Sequence, residues 1–178
     1  LKNSSKISEL KLRGGWGQVG NISGVDYYSS FGLLGDDHGT LQNYINTDLT
    51  WETTTDINIG LDVAFLNNRI RLSADAYKKT TADLINKIYI SGIPYTYNAG
   101  KLENKGIEFA LNTINSKGNF NWNTNFNISF NKNKVLEMGY QPVEYAGYQN
   151  VNRYEVGVSL GNFYGYKVDR VNPDTGIL

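Results

Sequence analysis

From Trp51 to Phe65 the chain alternates between apolar and polar positions. Trp51, Thr53, Thr55, Ile57, Ile59, Leu61, Val63 and Phe65 share one parity, while Glu52, Thr54, Asp56, Asn58, Gly60, Asp62 and Ala64 share the other. Successive side chains of a strand point to opposite faces, so the segment predicts a strand with one apolar and one polar face. A helix would scatter both sets around its axis. A second run follows the same rule: Phe120, Trp122, Thr124, Phe126, Ile128 and Phe130 alternate with Asn121, Asn123, Asn125, Asn127 and Ser129. That second set is a wet face. Leu10–Trp16, Ile70–Tyr77 and Gly106–Asn112 repeat the pattern, and Val156–Val168 predicts a sixth strand with poorer alternation.

The connections alternate too. Leu66-Asn67-Asn68 is a tight turn, because Asn tolerates positive φ, and Asn115–Asn119 is another short one. Long connections run from Val19 to Thr50, from Ile88 to Leu102 and from Lys134 to about Glu155. Short turns on one side and long loops on the other are the layout of outer-membrane barrels. Strand length agrees: soluble strands average about 5–6 residues, whereas a tilted membrane strand needs about 9–11. The predicted fold class is therefore all-β, with antiparallel strands of a transmembrane β-barrel. A soluble β-sandwich also alternates and is the competing architecture.

Composition sharpens this picture. Among 178 residues there are thirteen Tyr, seven Phe, three Trp and nineteen Gly, but one Met, one His and no Cys. Aromatic and Gly-rich usage favours strands and turns. Absence of Cys excludes a disulfide framework, thiolate metal ligands and a Cys nucleophile in this stretch. Seventeen basic residues balance seventeen acidic ones, so nothing in the charge calls for nucleic acid as a partner. Mean hydropathy is negative, and no run of eighteen apolar residues occurs. A barrel strand exposes only every second residue to lipid, so neither fact excludes a membrane. The first residues lack the apolar core of a signal peptide.

Eight segments, in order, resemble one family: Leu12–Asn21, Leu49–Thr55, Asn58–Asp62, Asn68–Ile70, Tyr77–Leu84, Asn98–Glu108, Phe130–Val135 and Gly161–Tyr166. Together they are similar to the SusC/RagA-type TonB-dependent outer-membrane transporters of Bacteroidetes. The resemblance implies a roughly 22-stranded barrel around an N-terminal plug. It also implies a SusD-like surface lipoprotein as lid, energy from the TonB complex, outer-membrane lipid as surroundings, and a glycan or peptide as substrate. Residues 1–178 are then expected to be part of a receptor β-barrel domain, about five or six strands of it, with no plug domain in this chain. Asn172–Leu178 reads as a turn rather than a closing strand. The expected location is the outer membrane of a Gram-negative cell.

Candidate sites are few. His38 follows Asp36 and Asp37, but a metal needs three or four converging ligands and a solvated loop explains these residues. Asp169, Asn172, Asp174 and Gly176 do not match an EF-hand, and Pro173 interrupts them, so a turn is the reading. Glu52, Asp56, Asp62, Asp75 and Glu108 stand on polar parities and predict a charged lumen wall with Lys11, Arg13 and Arg71 as partners. No nucleophile, base and orienting group cluster, so no enzyme is expected, and no cofactor or metal. Gly14, Gly15, Gly17 and Gly20 lack the Lys-Ser/Thr and helix of a phosphate loop. The loop tyrosines Tyr27, Tyr28, Tyr95, Tyr97, Tyr145 and Tyr148 are the substrate-binding candidates, because sugars stack on aromatic faces and Tyr adds a hydroxyl. An aromatic girdle at the lipid headgroups accounts for them equally well. The expected function is a barrel-wall segment of an energised importer; the rival is a soluble carbohydrate-binding β-sandwich.

Overall fold

A computed structural model describes residues 6–26, 29–31, 34–35, 39–139, 143–146 and 152–165. Five long strands form a single antiparallel sheet: β1 (Ile7–Asn21), β4 (Glu52–Phe65), β5 (Ile70–Ala82), β8 (Lys101–Ser116) and β9 (Trp122–Glu137), hydrogen-bonded in that order. They run to 15, 14, 13, 16 and 16 residues, each beyond the roughly 9–11 that a tilted membrane strand requires. Shorter elements lie in the connections and beyond: β2 (Leu34–Gly35), β3 (Thr40–Leu41), β6 (Ile85–Ile90), β7 (Ile93–Asn98), β10 (Val143–Ala146), β11 (Asn152–Glu155) and β12 (Asn162–Phe163).

Cross-strand register turns the one-dimensional alternation into rows. Leu12 stands opposite Leu61, Leu61 opposite Ala74, Ala74 opposite Phe109 and Phe109 opposite Ile128. Parallel rows hold Leu10, Val63, Leu72, Leu111 and Phe126, then Gly14, Ile59, Ala76, Ile107 and Phe130. Along β4 the apolar stretch from Ile57 to Phe65 spans about 27 Å at ~3.4 Å per residue. Tilting by about 40° leaves a band roughly 20 Å tall, close to the ~25 Å apolar belt of outer-membrane barrels.

Among the described residues nothing covers that face. Leu12 is 72% exposed, Phe126 54% and Leu61 40%. The only strongly buried apolar side chains among the described residues, Ala64 and Val135, stand on the opposite, polar parity. A β-sandwich would bury the apolar rows against a second sheet, and these rows are bare. The soluble-sandwich expectation therefore fails on the exposure of its would-be core. β1 and β9 each have one neighbour in the sheet, so both flanks of it present strand edges.

The polar face is held by side chains instead of water alone. The Arg13 guanidinium bridges two carboxylates. Its Nε donates to Asp62 Oδ2 at 2.8 Å, and its terminal nitrogens reach Asp75 at 2.8 and 3.0 Å. Gly60, paired with Arg13 on one side and Asp75 on the other, makes room for this clamp. A Cβ there would run into both side chains. Tyr77 donates its hydroxyl proton to Asn131 at 3.1 Å, and Lys79 meets Asp56 at 3.5 Å. Arg13 partners Asp62 and Asp75 as the sequence predicts. Asp56, by contrast, takes Lys79 rather than Lys11, Arg13 or Arg71.

The short turns also follow the sequence. Asn67 and Asn68 take φ of 55° and 65°, and Leu66 joins them at 50°, which closes β4 onto β5 in register Phe65↔Ile70. Arg69 then ties the two tight turns together, donating to the carbonyls of Ile114 and Asn115 at 3.0–3.3 Å.

Three expectations need correction. The stretch from Ile88 to Leu102 is no open connection: β6 and β7 make a tight hairpin, with Ser91 at φ 52° and Gly92 at φ 83° as its two-residue turn. The strand predicted from Phe120 starts at Trp122 and runs on to Glu137, well into the supposed loop. No sixth long strand occupies the described part of 156–168. Residues 156–161 form turns, and β12 is two residues long in a small sheet with β10 and β11.

Candidate functional site at the loop end of the sheet

At the end of the sheet away from the tight turns, the polar face changes character. Leu102 pairs with Val135 on the parity that elsewhere carries Asn104, Glu108, Asn131 and Asn133. These two apolar residues floor a hollow of about 280 Å³. The β6–β7 hairpin walls it on one side through Asn86, Ile88 and Tyr97, and Tyr154 of β11 with Leu160 walls it on the other. Glu137 also lines it.

Local chemistry places each wall. In the hairpin, Asn86 faces Tyr97 and Ile88 faces Tyr95 across the strands, so these four share one face. Tyr95 and Tyr97 stack, with ring centroids 5.7 Å apart and planes 6° from parallel. The hairpin is joined to the sheet through its base: Ala99 donates its amide to Leu84 O at 2.8 Å, and the Asn86 amide reaches the carbonyls of Leu84 and Ala99. Gly100, at φ 105°, allows the chain to bend from hairpin into β8 where a side chain would be strained. Asn98 bonds both the amide and the carbonyl of Thr50 at 2.8 Å, and Asn46 donates to Thr96 O at 2.9 Å. Lys87, on the hairpin's other face, meets Asp26 at 2.9 Å. That hydrogen bond raises the lysine's pKa above its ordinary value.

The far wall is attached to β9 itself. Val135 donates to Val158 O at 2.9 Å and Gly157 donates to Val135 O at 2.8 Å. Asn133 accepts from the Leu160 amide at 2.7 Å. The segment carrying Leu160 thus completes the edge of β9 at this end.

Of the tyrosines singled out from sequence, Tyr97 lines the hollow and Tyr95 stacks behind it. Tyr145 lies on β10, paired in register with Arg153. Tyr27, Tyr28 and Tyr148 lie outside the described residues, as do His38, Asp36, Asp37 and the 169–176 turn. Sequence reasoning missed Leu102, Val135 and Tyr154. A signal for the first two was present: each is an apolar residue on a wet parity. Among the described residues no group of three or more potential metal ligands converges.

Comparison with known proteins agrees with this architecture. The family model described as TonB dependent receptor-like, beta-barrel, matches residues 6–178. The chain is 38% identical over 154 residues to TonB-dependent receptor P26 of Formosa agariphila, covering 78% of this chain and 16% of that protein. It is 33% identical over 198 residues to TonB-dependent receptor SusC of Bacteroides thetaiotaomicron, covering 94% of this chain and 20% of that one. The chain therefore spans a sixth to a fifth of the length of these relatives. In fold it is similar to the RagAB peptide importer in its closed-closed state, with a TM-score of 0.75 at 24% identity over 88% of this chain and 19% of the other.

Proposed function

Because this chain belongs to the TonB dependent receptor-like β-barrel family, we propose that it forms part of the barrel wall of an outer-membrane nutrient importer. Residues 1–178 are then one stretch of a β-barrel domain. The observation that carries this reading is the pair of faces: an uncovered apolar band of membrane height on one parity, and an ion-paired, Asn-rich wall on the other. The first suits hydrocarbon. The second suits a water-filled interior occupied by a plug.

The long-connection end, with the hollow at Leu102, Val135, Tyr97 and Tyr154, faces the outside of the cell and contributes to the substrate chamber. The transported molecule is an oligosaccharide or peptide, since aromatic rings beside Asn and Glu side chains offer both stacking and hydrogen bonds. A SusD-like surface lipoprotein is the lid, and the TonB complex supplies the work through a plug. The segment acts as wall and contact surface, not as a catalyst.

Two measurements test this in the full-length receptor, freed of other cysteines. Single Cys residues at Asn67 or Lys117 should resist an impermeant thiol reagent on intact cells, whereas Cys at Ser91 should react. Labelling at the turns but not at Ser91 overturns the orientation. Replacing Tyr97 and Tyr154 by Ala should slow uptake of the receptor's substrate roughly tenfold or more while barrel yield is unchanged. Unaltered uptake removes the hollow from the transport path.

A further inference from the structure

The outward, apolar face carries one feature that the wall function does not use. Two residues beyond Ala76, Ile107 and Phe130, the same face presents Lys78, Lys105 and Lys132 in a single row, directly opposite one another across β5, β8 and β9. Lys134 follows in the next row, opposite Glu103. Like charges placed directly opposite across strands are destabilising. Among the described residues one carboxylate meets this row: Glu103, 2.9 Å from Lys78 and 3.2 Å from Lys105. Lys78 and Lys105 remain more than half exposed.

The row is a patch and not a girdle. At the same level β1 and β4 carry Trp16 and Ile57. A hollow of about 340 Å³ at this level is lined by Lys78, Lys105, Lys132, Ile107 and Phe130, together with Tyr77, Gly106 and Asn131 of the inner parity. Cations thus sit immediately above apolar rows, on the loop side of the band. A ligand matching this arrangement is anionic at one end and hydrocarbon at the other.

We propose that Lys78, Lys105, Lys132 and Lys134 bind the phosphate groups of a phosphorylated outer-leaflet glycolipid, with its acyl chains lying on Ile107 and Phe130. The site rests on the barrel orientation proposed above. The lipid's phosphates offset the repulsion within the lysine row, and its chains cover the exposed rows beneath. Free phosphate satisfies only the first requirement, so the lipid is the occupant.

The test uses the full-length receptor in an uncharged detergent and native mass spectrometry. The probes are a bis-phosphorylated glucosamine-disaccharide lipid, its dephosphorylated form and inorganic phosphate. The K78Q/K105Q/K132Q variant should bind the phosphorylated lipid roughly tenfold or more weakly than the parent. Lys11→Gln, on the inner face, should bind as the parent does, and millimolar inorganic phosphate should not displace the lipid. Equal binding by the triple variant, equal loss in Lys11→Gln, equal binding of the dephosphorylated lipid, or displacement by phosphate each overturns the proposal. A fluorophore at position 61, read with a lipid-borne quencher in vesicles, separates the two readings. Quenching with unchanged lipid binding rejects the lipid site alone, and absence of quenching rejects the barrel orientation beneath it.

Discussion

The two faces of the five-stranded sheet share one backbone and one hydrogen-bond ladder, yet they are built for different solvents. Outward, Leu12, Leu61, Phe109 and Ile128 stand in a row with nothing over it among the described residues. Inward, Arg13, Asp62 and Asp75 lock to one another, and Tyr77 reaches Asn131. In a soluble protein the apolar face would be the core and the ionic face the surface. Here the apolar face is the outside. The comparison teaches that stability of such a sheet lies in what each face meets, because backbone pairing is common to both.

The strongest way to break the comparison is to withhold the outer solvent. Expressed without lipid or detergent, the 178 residues should aggregate, because among the described residues the apolar rows, the edge of β1 and most of the edge of β9 have no partner. A monodisperse monomer with a cooperative thermal transition, seen by light scattering and circular dichroism, would show that the face is not built for lipid.

Next comes a single charge. Leu61→Arg in the full-length receptor should cost about 2–4 kcal/mol of folding free energy into vesicles, since it places a cation near mid-band. Denaturant titration of folding into vesicles measures it. A smaller effect comes from the turn: Asn68 sits at φ 65°, so Asn68→Val should cost about 1–2 kcal/mol while Asn68→Gly should be close to neutral. The smallest expected effect is on the inner face. Asp62→Ala removes one arm of the clamp but leaves Arg13 its contacts with Asp75. In the same titration, Asp62→Ala should stay within the scatter of the parent. If Asp62→Ala cost as much as Leu61→Arg, the two faces would not differ in the way described.

Much of this contrast was legible beforehand. Alternation fixes parity, and parity fixes which side chains share a face. The Leu66-Asn67-Asn68 turn was legible because few residues tolerate positive φ. The β6–β7 hairpin was missed although Ser91-Gly92 stands between two β-rich runs, a recognised hairpin signal. It was hidden by Pro94 and by the lack of clean alternation along its two strands. β9 was cut short at Phe130 because Lys132 and Lys134 take the place of apolar residues on the outer parity. The same substitution that blurred the strand's end makes the lysine row.

The sequence by itself determined the strand period, the two faces, the tight turns and the family resemblance, all of which are local or periodic properties. Register belonged to the tertiary structure. Only pairing decides that Lys78, Lys105 and Lys132 fall in one row, that Arg13 stands over Gly60 between two aspartates, and that Leu102 meets Val135 beneath Tyr97. A one-residue slip would move every side chain of a strand to the other face, and a two-residue slip would keep the faces but dissolve each of these groupings. Alternation is unchanged by a two-residue slip. The rows, and the sites made from them, are therefore set by turn geometry within β4–β5 and β8–β9 and by hydrogen bonding between strands far apart in the chain, β1 with β4 and β5 with β8.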